Sequence, residues 1–226
     1  MNILILSANS KQLQSNNYPT CLTEIDGVPL IQHIADLIKP LNAENVIYTF
    51  HQSHVNKFHL DHVIKQLDSS AKIISIEHET QGAACTALLA SKYIDNKQPL
   101  LIISANELVK VDLENVCKNF ESLKYDGGAV IFPSVHPRYS FVLLDENDLI
   151  VEAAEKMPIS RHATTGIYWY AKGESFINAA KSMIRKDARV NNLFYICPAF
   201  NEMLLQHLII GSHAIEAKNY IQFKNN

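Results

Sequence analysis

The sequence predicts an α/β protein in which helices cover both faces of a mixed, mostly parallel β-sheet. Residues 2–7 form a continuous apolar run, as expected for a strand that is buried on both faces of a parallel sheet. Strand-like and helix-like segments then alternate through the first half of the chain. The second half changes to short strand-like runs followed by helices, and this change predicts a mixed sheet.

In the first half, apolar runs predict strands at 2–7, 45–50, 72–77 and 99–104. Apolar residues at helical spacing predict helices at 30–38, 55–67, 80–93 and 111–125. Asp26-Gly27 predicts a turn, and Pro29 follows where the first turn of a helix tolerates proline. The alternation indicates a Rossmann-like three-layer sandwich.

In the second half, strand patterns occur at 128–133, 140–144, 150–155, 165–170 and around 212–217. Helical patterns occur at 174–186 and 198–207. There is no internal repeat and no linker long enough to divide the chain, so we expect residues 1–226 to form a single domain.

Composition restricts the classes of partner. Hydrophobic residues make up 47% and charged residues 19%, the balance of a globular protein with a sizeable core. The net charge is −3 and no run of Lys or Arg exceeds two, which argues against binding of nucleic acid or an anionic membrane. The cysteines are scattered without metal-ligand spacing, and no segment is long enough to span a membrane. These features predict a cytoplasmic protein.

Motif-like segments occur in a fixed order along the chain. They are 18–31 (YPTCLTEIDGVPLI), 80–90 (TQGAACTALLA), 136–142 (HPRYSFV) followed by 151–156 (VEAAEK) and 163–168 (ATTGIY), and 190–198 (VNNLFYICP) with Asn201. The set resembles the sugar-nucleotidyltransferase superfamily, which has a GT-A-like fold. It is most similar to the small bacterial members linked to capsule and other surface polysaccharides. One such pattern alone is weak evidence, but four in the family's order are hard to obtain by chance.

The resemblance implies transfer of a nucleoside monophosphate from a nucleoside triphosphate to a sugar phosphate or another small phosphorylated acceptor, with release of pyrophosphate. Such chemistry depends on neutralising phosphate charge and holding the reacting groups in line. Mg²⁺ is the implied cofactor. Residues 1–125 would form the nucleotide-binding half and residues 126–226 the acceptor-binding half. A homodimer is left open.

The same resemblance assigns roles to individual residues. Nucleotide binding falls to Ala8, Asn9, Ser10, Lys11, Thr20, Gln81, Gly82, Ala83 and Asn106. Acceptor binding falls to Glu155, Lys156, Gly166 and Asn201. The catalytic positive charges would be Lys11 and Lys156, and the metal ligands would be Asn106 and Glu107.

Three positions depart from the family's pattern. The loop at 7–13 contains no glycine, although Asn9 tolerates left-handed conformations and Lys11 could replace a missing arginine charge. Thr20 stands where the family has a catalytic lysine, and a hydroxyl supplies no positive charge. Asn106 stands where the family has a metal-binding aspartate, and an amide oxygen binds Mg²⁺ more weakly than a carboxylate.

Two alternative functions therefore stay open. The first is a catalytically inactive homologue that acts as a binding or regulatory subunit. The second is a glycosyltransferase of the same architecture, although no D-x-D motif for its metal occurs in the chain. A group of histidines (His51, His54, His59, His62) makes a zinc site a minor hypothesis. We favour the alternative that these histidines lie on an exposed helix and on the loop that precedes it.

Overall fold

The computed structural model describes residues 1–7 and 18–222. Its strands are β1 Asn2–Leu6, β2 Glu24–Ile25, β3 Val28–Pro29, β4 Asn45–His51, β5 Lys72–Ile76, β6 Leu100–Ser104, β7 Glu107–Val109, β8 Gly127–Pro133, β9 Ser140–Leu144, β10 Ile150–Glu155, β11 His162–Tyr170, β12 Ile210–Ala214 and β13 Tyr220–Gln222. Its α-helices are α1 Leu30–Ile38, α2 Gln52–Phe58, α3 Leu60–Leu67, α4 Ala83–Leu88, α5 Ser91–Ile94, α6 Leu113–Ser122, α7 Gly173–Arg185 and α8 Ala199–Leu204.

The central sheet contains nine strands in the order β10-β9-β11-β6-β1-β4-β5, with β8 paired to β11 and β12 paired to β8. The pairs β6-β1, β1-β4, β4-β5 and β8-β12 are parallel. Strand β11 runs antiparallel to β6, β8 and β9, and β10 runs antiparallel to β9. The mixed, mostly parallel sheet that the sequence predicts is therefore confirmed.

Helices cover both faces of this sheet. On one face, α1, α3 and α6 bury apolar residues such as Ile34, Ile64 and Phe120 against Ile3 and Ile5 of β1. On the other face, α4, α7 and α8 pack against alternate positions of the same strands, which include Leu4 and Ile102. Because both faces are covered, the central strands are apolar at successive positions, as the N-terminal run indicated.

Two predicted helices are each interrupted. The helix predicted at 55–67 is instead α2 and α3, because His59 between them adopts a left-handed conformation with φ of 51°. The helix predicted at 80–93 begins only at Ala83, since Gly82 has φ of 114°, and it divides into α4 and α5. The other helices differ from their predicted bounds only near their ends.

A small sheet that the sequence did not predict lies beside the central one. Strand β7 follows directly after β6 and pairs antiparallel with β13, so that Tyr220 lies opposite Val109. This pairing brings the C-terminal segment to the carboxyl end of β6. Within residues 1–7 and 18–222, no helix combines the length and apolar character needed to cross a lipid bilayer.

Candidate functional site

The candidate site is a cavity of about 490 Å³ at the carboxyl ends of β1 and β6, where Leu6 and Ser104 contribute to its lining. From β1 the chain proceeds to β4 and β5 on one side, and then crosses to β6 on the other side. The direction of winding therefore reverses between β1 and β6. In open α/β sheets such a switch point leaves a crevice in which ligands bind.

Both halves of the chain line this cavity. Of the residues that the sequence singled out, the lining contains Gly82, Ala83, Asn106, Glu107, Glu155, Lys156 and Gly166. The fold thus brings together residues that are up to 84 positions apart in the chain, from Gly82 to Gly166. The cavity also contains Thr80, Thr86, Ser104 and Leu193.

One wall is built around Gly82. Its φ of 114° lies in a region that L-residues rarely adopt, and a Cβ atom here would be 2.4 Å from the carbonyl oxygen of Phe194. The amide of Phe194 donates to the carbonyl of Gln81 at 2.8 Å, and the amide of Ala84 donates to the carbonyl of Phe194 at 3.0 Å. Glycine is needed here because two backbone segments touch. Beside it, Thr80 and Thr86 share a hydrogen bond of 2.6 Å between their hydroxyl oxygens.

The second part of the site is the turn between β6 and β7. Asn106 is half-buried and donates from its side-chain amide to the hydroxyl of Ser104 at 3.3 Å. Glu107 is only 5% exposed although it carries a carboxylate. Gly166 of β11 passes close by with φ of 84°, and a Cβ atom there would lie 2.8 Å from the Cβ of Ser104 and 3.5 Å from Oε2 of Glu107. A side chain at position 166 would fill the space beside this carboxylate.

The third part of the site lies at the end of β10. Glu155 is buried and accepts a hydrogen bond from the hydroxyl of Ser140 on β9. Lys156 follows in a left-handed conformation with φ of 55°, and its amide donates to the carbonyl of Tyr139. The Nζ atom of Lys156 donates to the hydroxyl of Tyr195 at 2.9 Å and lies 5.1 Å from the centre of that ring. This end of the cavity therefore carries a positive charge in a defined place.

Several predicted residues lie elsewhere. Gln81 is exposed and contributes backbone contacts to the Gly82 wall, and it is absent from the cavity lining. Thr20 is 8% exposed in a short 3-10 turn at residues 20–22, also outside the lining. The side chain of Asn201 bonds both the amide and the carbonyl of Ala153 on β10, at 2.9 and 2.8 Å. Ala8, Asn9, Ser10 and Lys11 lie outside the described residues.

The cavity lining also contains residues to which the sequence analysis gave no role, and among them are Arg138, Tyr139, Tyr195 and Tyr220. Tyr220 stacks on Phe132 with ring centres 4.1 Å apart, and Tyr139 meets Tyr220 edge to face at 5.7 Å. Burial raises the pKa of Tyr220, and the nearby charge of Glu107 raises it further, so its hydroxyl stays protonated. Arg138, Tyr139 and Tyr195 lie inside the motif segments 136–142 and 190–198. Membership of these segments is the feature of the sequence that could have indicated them as site residues.

The donor set can be tested against Mg²⁺. This ion is usually held by one or two carboxylates together with oxygens of substrate phosphates. Glu107 supplies one buried carboxylate and Asn106 one amide oxygen at the same turn. In residues 1–7 and 18–222 there is no group of three or more His, Cys, Asp and Glu that could hold a metal ion. The residues fit a Mg²⁺ ion that arrives with a triphosphate.

The histidines form two pairs, one of His51 at the end of β4 with His54 on α2, and one of His59 between α2 and α3 with His62 on α3. The rings of His51 and His54 are centred 5.9 Å apart, and those of His59 and His62 are 6.1 Å apart. His54 is buried, and burial, followed by the neighbouring charges of His51 and Lys57, lowers its pKa. The expectation of an exposed helix is therefore wrong for His54, which packs against Phe58.

Comparison with known proteins establishes the family. The model of the nucleotidyl transferase family matches residues 12–208, and the chain belongs to this family. The bifunctional protein GlmU of Francisella philomiragia is 27% identical over 119 residues. That match covers 52% of this chain and 25% of GlmU, so the chain matches about a quarter of that relative's length.

Solved structures with the same fold extend over nearly the whole chain. A nucleoside-diphosphate-sugar pyrophosphorylase from Vibrio cholerae RC9 has a TM-score of 0.78 at 20% identity, covering 97% of this chain and 94% of that one. The inositol-1-phosphate CTP transferase from T. maritima has a TM-score of 0.73 at 11% identity, covering 99% and 89%. At these identities the likeness establishes the fold. Nucleotidyl transferases of this family commonly use a divalent metal ion.

Proposed function

We propose that this protein transfers a nucleoside monophosphate from a nucleoside triphosphate to a sugar phosphate or another small phosphorylated acceptor, with release of pyrophosphate. One observation carries the proposal: a single cavity at the switch point of the sheet is lined by the Gly82 wall and also by Lys156. Two ligands in such a cavity would lie next to each other, as direct transfer requires. The names of the similar Vibrio cholerae and T. maritima proteins agree with this class of reaction.

The nucleotide would lie against the Gly82 wall. Gly82 and Ala83 line the cavity there, and Gln81 fixes the wall through its backbone contact with Phe194. In the proposed arrangement the loop residues Ala8, Asn9, Ser10 and Lys11 meet the phosphates. Lys11 supplies positive charge to the phosphates.

Mg²⁺ would be held by Asn106 and Glu107 together with phosphate oxygens of the nucleotide. The ion would supply positive charge that neutralises the triphosphate and the developing charge on the leaving pyrophosphate. The chain's own contribution is the buried carboxylate of Glu107 and the space that Gly166 leaves beside it. Because the amide of Asn106 carries no charge, the affinity for Mg²⁺ without nucleotide is expected to be low.

The acceptor would lie at the end of β10. Lys156 binds its phosphate and stabilises the negative charge near the transferred group. Glu155 and Gly166 shape the adjoining surface, and both line the cavity. The role of Asn201 is indirect. Its side-chain amide bonds the backbone of Ala153 and so fixes the position of β10, which ends at Glu155 and is followed by Lys156.

A second candidate is a catalytically inactive homologue that binds a ligand as a regulatory subunit. One specific observation favours it: Thr20 is uncharged and nearly buried, and lies outside the cavity lining. No cationic group at this position can therefore reach the α-phosphate. In this reading the cavity keeps its nucleotide or phosphate affinity, but pyrophosphate is not released.

The proposed wider setting rests on the resemblance of the quoted motif segments to small bacterial members of the superfamily. We place the protein in precursor synthesis for surface polysaccharides, in the cytoplasm, as one domain with a nucleotide-binding half at 1–125 and an acceptor-binding half at 126–226. The partners would be small phosphorylated molecules and neither nucleic acid nor membrane. A homodimer is compatible with this proposal.

The first test is thermal stability with ATP, CTP, GTP, UTP and dTTP, each with and without Mg²⁺. A ligand that binds only the folded state at about a hundredfold excess over its Kd stabilises it by about 2.7 kcal/mol. We expect one nucleotide to raise the melting temperature, and to do so more strongly with Mg²⁺. If no nucleotide at millimolar concentration changes the melting temperature, the proposed transfer reaction is wrong.

A further inference from the structure

The contact between Lys156 and Tyr195 leaves a hydrogen-bond donor available. An ammonium group has only donors, so the hydroxyl oxygen of Tyr195 accepts the 2.9 Å hydrogen bond from Nζ of Lys156. The hydroxyl hydrogen of Tyr195 is therefore directed away from Lys156. Both residues line the cavity. The remaining Nζ hydrogens and the phenol hydrogen form a set of donors next to a positive charge.

Tyr195 is held in place by its own segment of chain. Residues 190–193 form a two-residue hairpin, in which Val190 and Leu193 exchange both backbone hydrogen bonds at 3.0 Å. The central residues Asn191 and Asn192 have φ of 50° and 62°, as a type I′ turn requires. The next residue, Phe194, is bonded on both sides to the segment at 81–84. The ring of Tyr195 therefore projects from a backbone that is fixed at two points.

Charge complementarity indicates what these donors bind. A cation with an adjacent hydroxyl donor favours an oxyanion, because hydrogen bonds from or next to charged groups are stronger than neutral ones. Arg138 lines the same cavity and adds a second positive charge. The carboxylates of Glu107 and Glu155 lie in the cavity as well, but Glu155 accepts a hydrogen bond from Ser140. A phosphate group placed at the exposed end of Lys156 would accept hydrogen bonds from Nζ of Lys156 and from the hydroxyl of Tyr195.

We propose that Tyr195 is a further binding residue of the acceptor side, and that its hydroxyl and the ammonium of Lys156 together bind one phosphate group. The identification of that phosphate as the acceptor's rests on the proposed function. Phosphate binding at this two-donor subsite requires no nucleotide and no transfer reaction. Tyr195 thereby also joins the acceptor side to the Gly82 wall, because Phe194 bonds that wall.

The test is phosphorus NMR titration of the protein with inorganic phosphate, in the absence of nucleotide. The variants are Tyr195→Phe, Lys156→Met and the double substitution, with Tyr125→Phe as the matched control. Tyr125 packs against Phe120 in the core on the opposite face of the sheet and is not among the residues that line the cavity. Tyr195→Phe keeps the ring and removes only the hydroxyl, so misfolding is not expected.

We expect Tyr195→Phe to weaken phosphate binding about fivefold and Lys156→Met about tenfold, as the loss of hydrogen bonds to a charged group at a partly exposed site predicts. The double variant should lose less than the product of the two, because the residues act as one subsite. Tyr125→Phe should bind as the wild type does. Equal phosphate binding by the wild type and the double variant would overturn the inference, and so would unchanged binding by Tyr195→Phe.

This result is separable from the proposed function. Phosphate binding that depends on Tyr195 and Lys156, combined with no pyrophosphate release from any nucleotide, would keep the subsite and reject the transfer reaction. Where transfer does occur, Tyr195→Phe should raise the KM of the phosphorylated acceptor about fivefold with little change in kcat.

Discussion

The two walls of the cavity are built by different means. The proposed nucleotide side depends on backbone contact, since Gly82 allows residues 81–84 to meet Phe194 without a side chain between them. The acceptor side depends on charged and polar side chains, with Glu155 bonded to Ser140 and Lys156 bonded to Tyr195. A defined cation is thus present on the acceptor side, whereas on the nucleotide side the described residues include the uncharged Thr20 and Asn106.

The difference shows which departures from the family's pattern matter. A wall made of backbone retains its shape when nearby side chains change, so Thr20 and Asn106 are compatible with an intact nucleotide pocket. Electrostatic neutralisation is not retained in this way, because it needs charged groups close to the phosphates. The shape of the proposed nucleotide site and its ability to neutralise phosphate charge are therefore separate properties.

The largest effect is expected for the backbone wall. Gly82→Ala places a Cβ atom 2.4 Å from the carbonyl oxygen of Phe194 and forces an L-residue to φ of 114°. We expect a loss of about 3 kcal/mol in the free energy of unfolding, measured by urea denaturation. The matched control is Gly27→Ala, where φ is 79° but no atom lies within 4 Å, and the expected loss is about 1 kcal/mol. Equal losses in both variants would mean that the contact with Phe194 contributes nothing.

Removal of the support behind β10 should have the next largest effect. Asn201→Ala removes two hydrogen bonds to Ala153 and leaves a buried backbone amide without its partner. We expect a loss of about 2 kcal/mol in unfolding free energy, against less than about 0.5 kcal/mol for Asn119→Ala at an exposed position on α6. If Asn201→Ala instead leaves stability unchanged and raises only the KM of the acceptor, Asn201 contacts the acceptor directly.

Restoring a negative charge at position 106 should increase the affinity of the proposed nucleotide side for a divalent metal ion. Asn106→Asp adds a carboxylate beside Glu107, so Mg²⁺ gains a second charged ligand. We expect binding of Mn²⁺, used as a paramagnetic substitute, to tighten about tenfold in the presence of nucleotide. Without metal the variant should be less stable than the wild type, because two carboxylates then repel each other. Unchanged metal affinity would show that this turn does not face the metal.

The smallest effect concerns Glu202, on α8 behind the acceptor wall. Its burial alone would raise its pKa, but hydrogen bonds from Lys186 at 2.8 Å and Ser182 at 2.7 Å outweigh that cost and lower the pKa below its usual 4.5. A carboxyl with a lowered pKa stabilises the fold above its unfolded pKa, and the contribution is lost as the pH falls through the folded value.

Glu202→Gln should therefore cost about 1 kcal/mol at neutral pH. The difference from the wild type should shrink as unfolding is measured from about pH 5 to about pH 3. A difference that stays constant over this range would show that the charge of Glu202 has no stabilising role.

Much of the fold could be predicted because its signals are local. The bounds of β9 and β10 agree with their patterns, since apolar positions and the turn at 145–148 lie in adjacent residues. Strands β7 and β13 were missed because each has three residues and their pairing joins positions more than 100 residues apart. The break at His59 was missed because its left-handed conformation leaves the apolar spacing of α2 and α3 almost continuous.

Site residues could be predicted from the sequence where they belong to a recognisable motif. They were predicted less well where their role depends on contacts with residues that are distant in the sequence. Lys156 and Gly166 were singled out by motifs, and both line the cavity. Tyr220 gave no signal, because it reaches the cavity only through the pairing of β13 with β7. Tyr195 stood in a quoted segment, but its significance depends on the distance to Lys156, which the sequence does not contain.

The transfer reaction is tested most directly by measuring the release of pyrophosphate from each nucleoside triphosphate with Mg²⁺ and a panel of sugar 1-phosphates. We expect release with one nucleotide and one acceptor class, and a loss of tenfold or more in kcat/KM for the acceptor in Lys156→Met. The matched control is Lys118→Met, on the exposed face of α6, which should retain full activity. Nucleotide binding without pyrophosphate release from any combination would show that the protein does not catalyse this transfer, and would favour the inactive homologue.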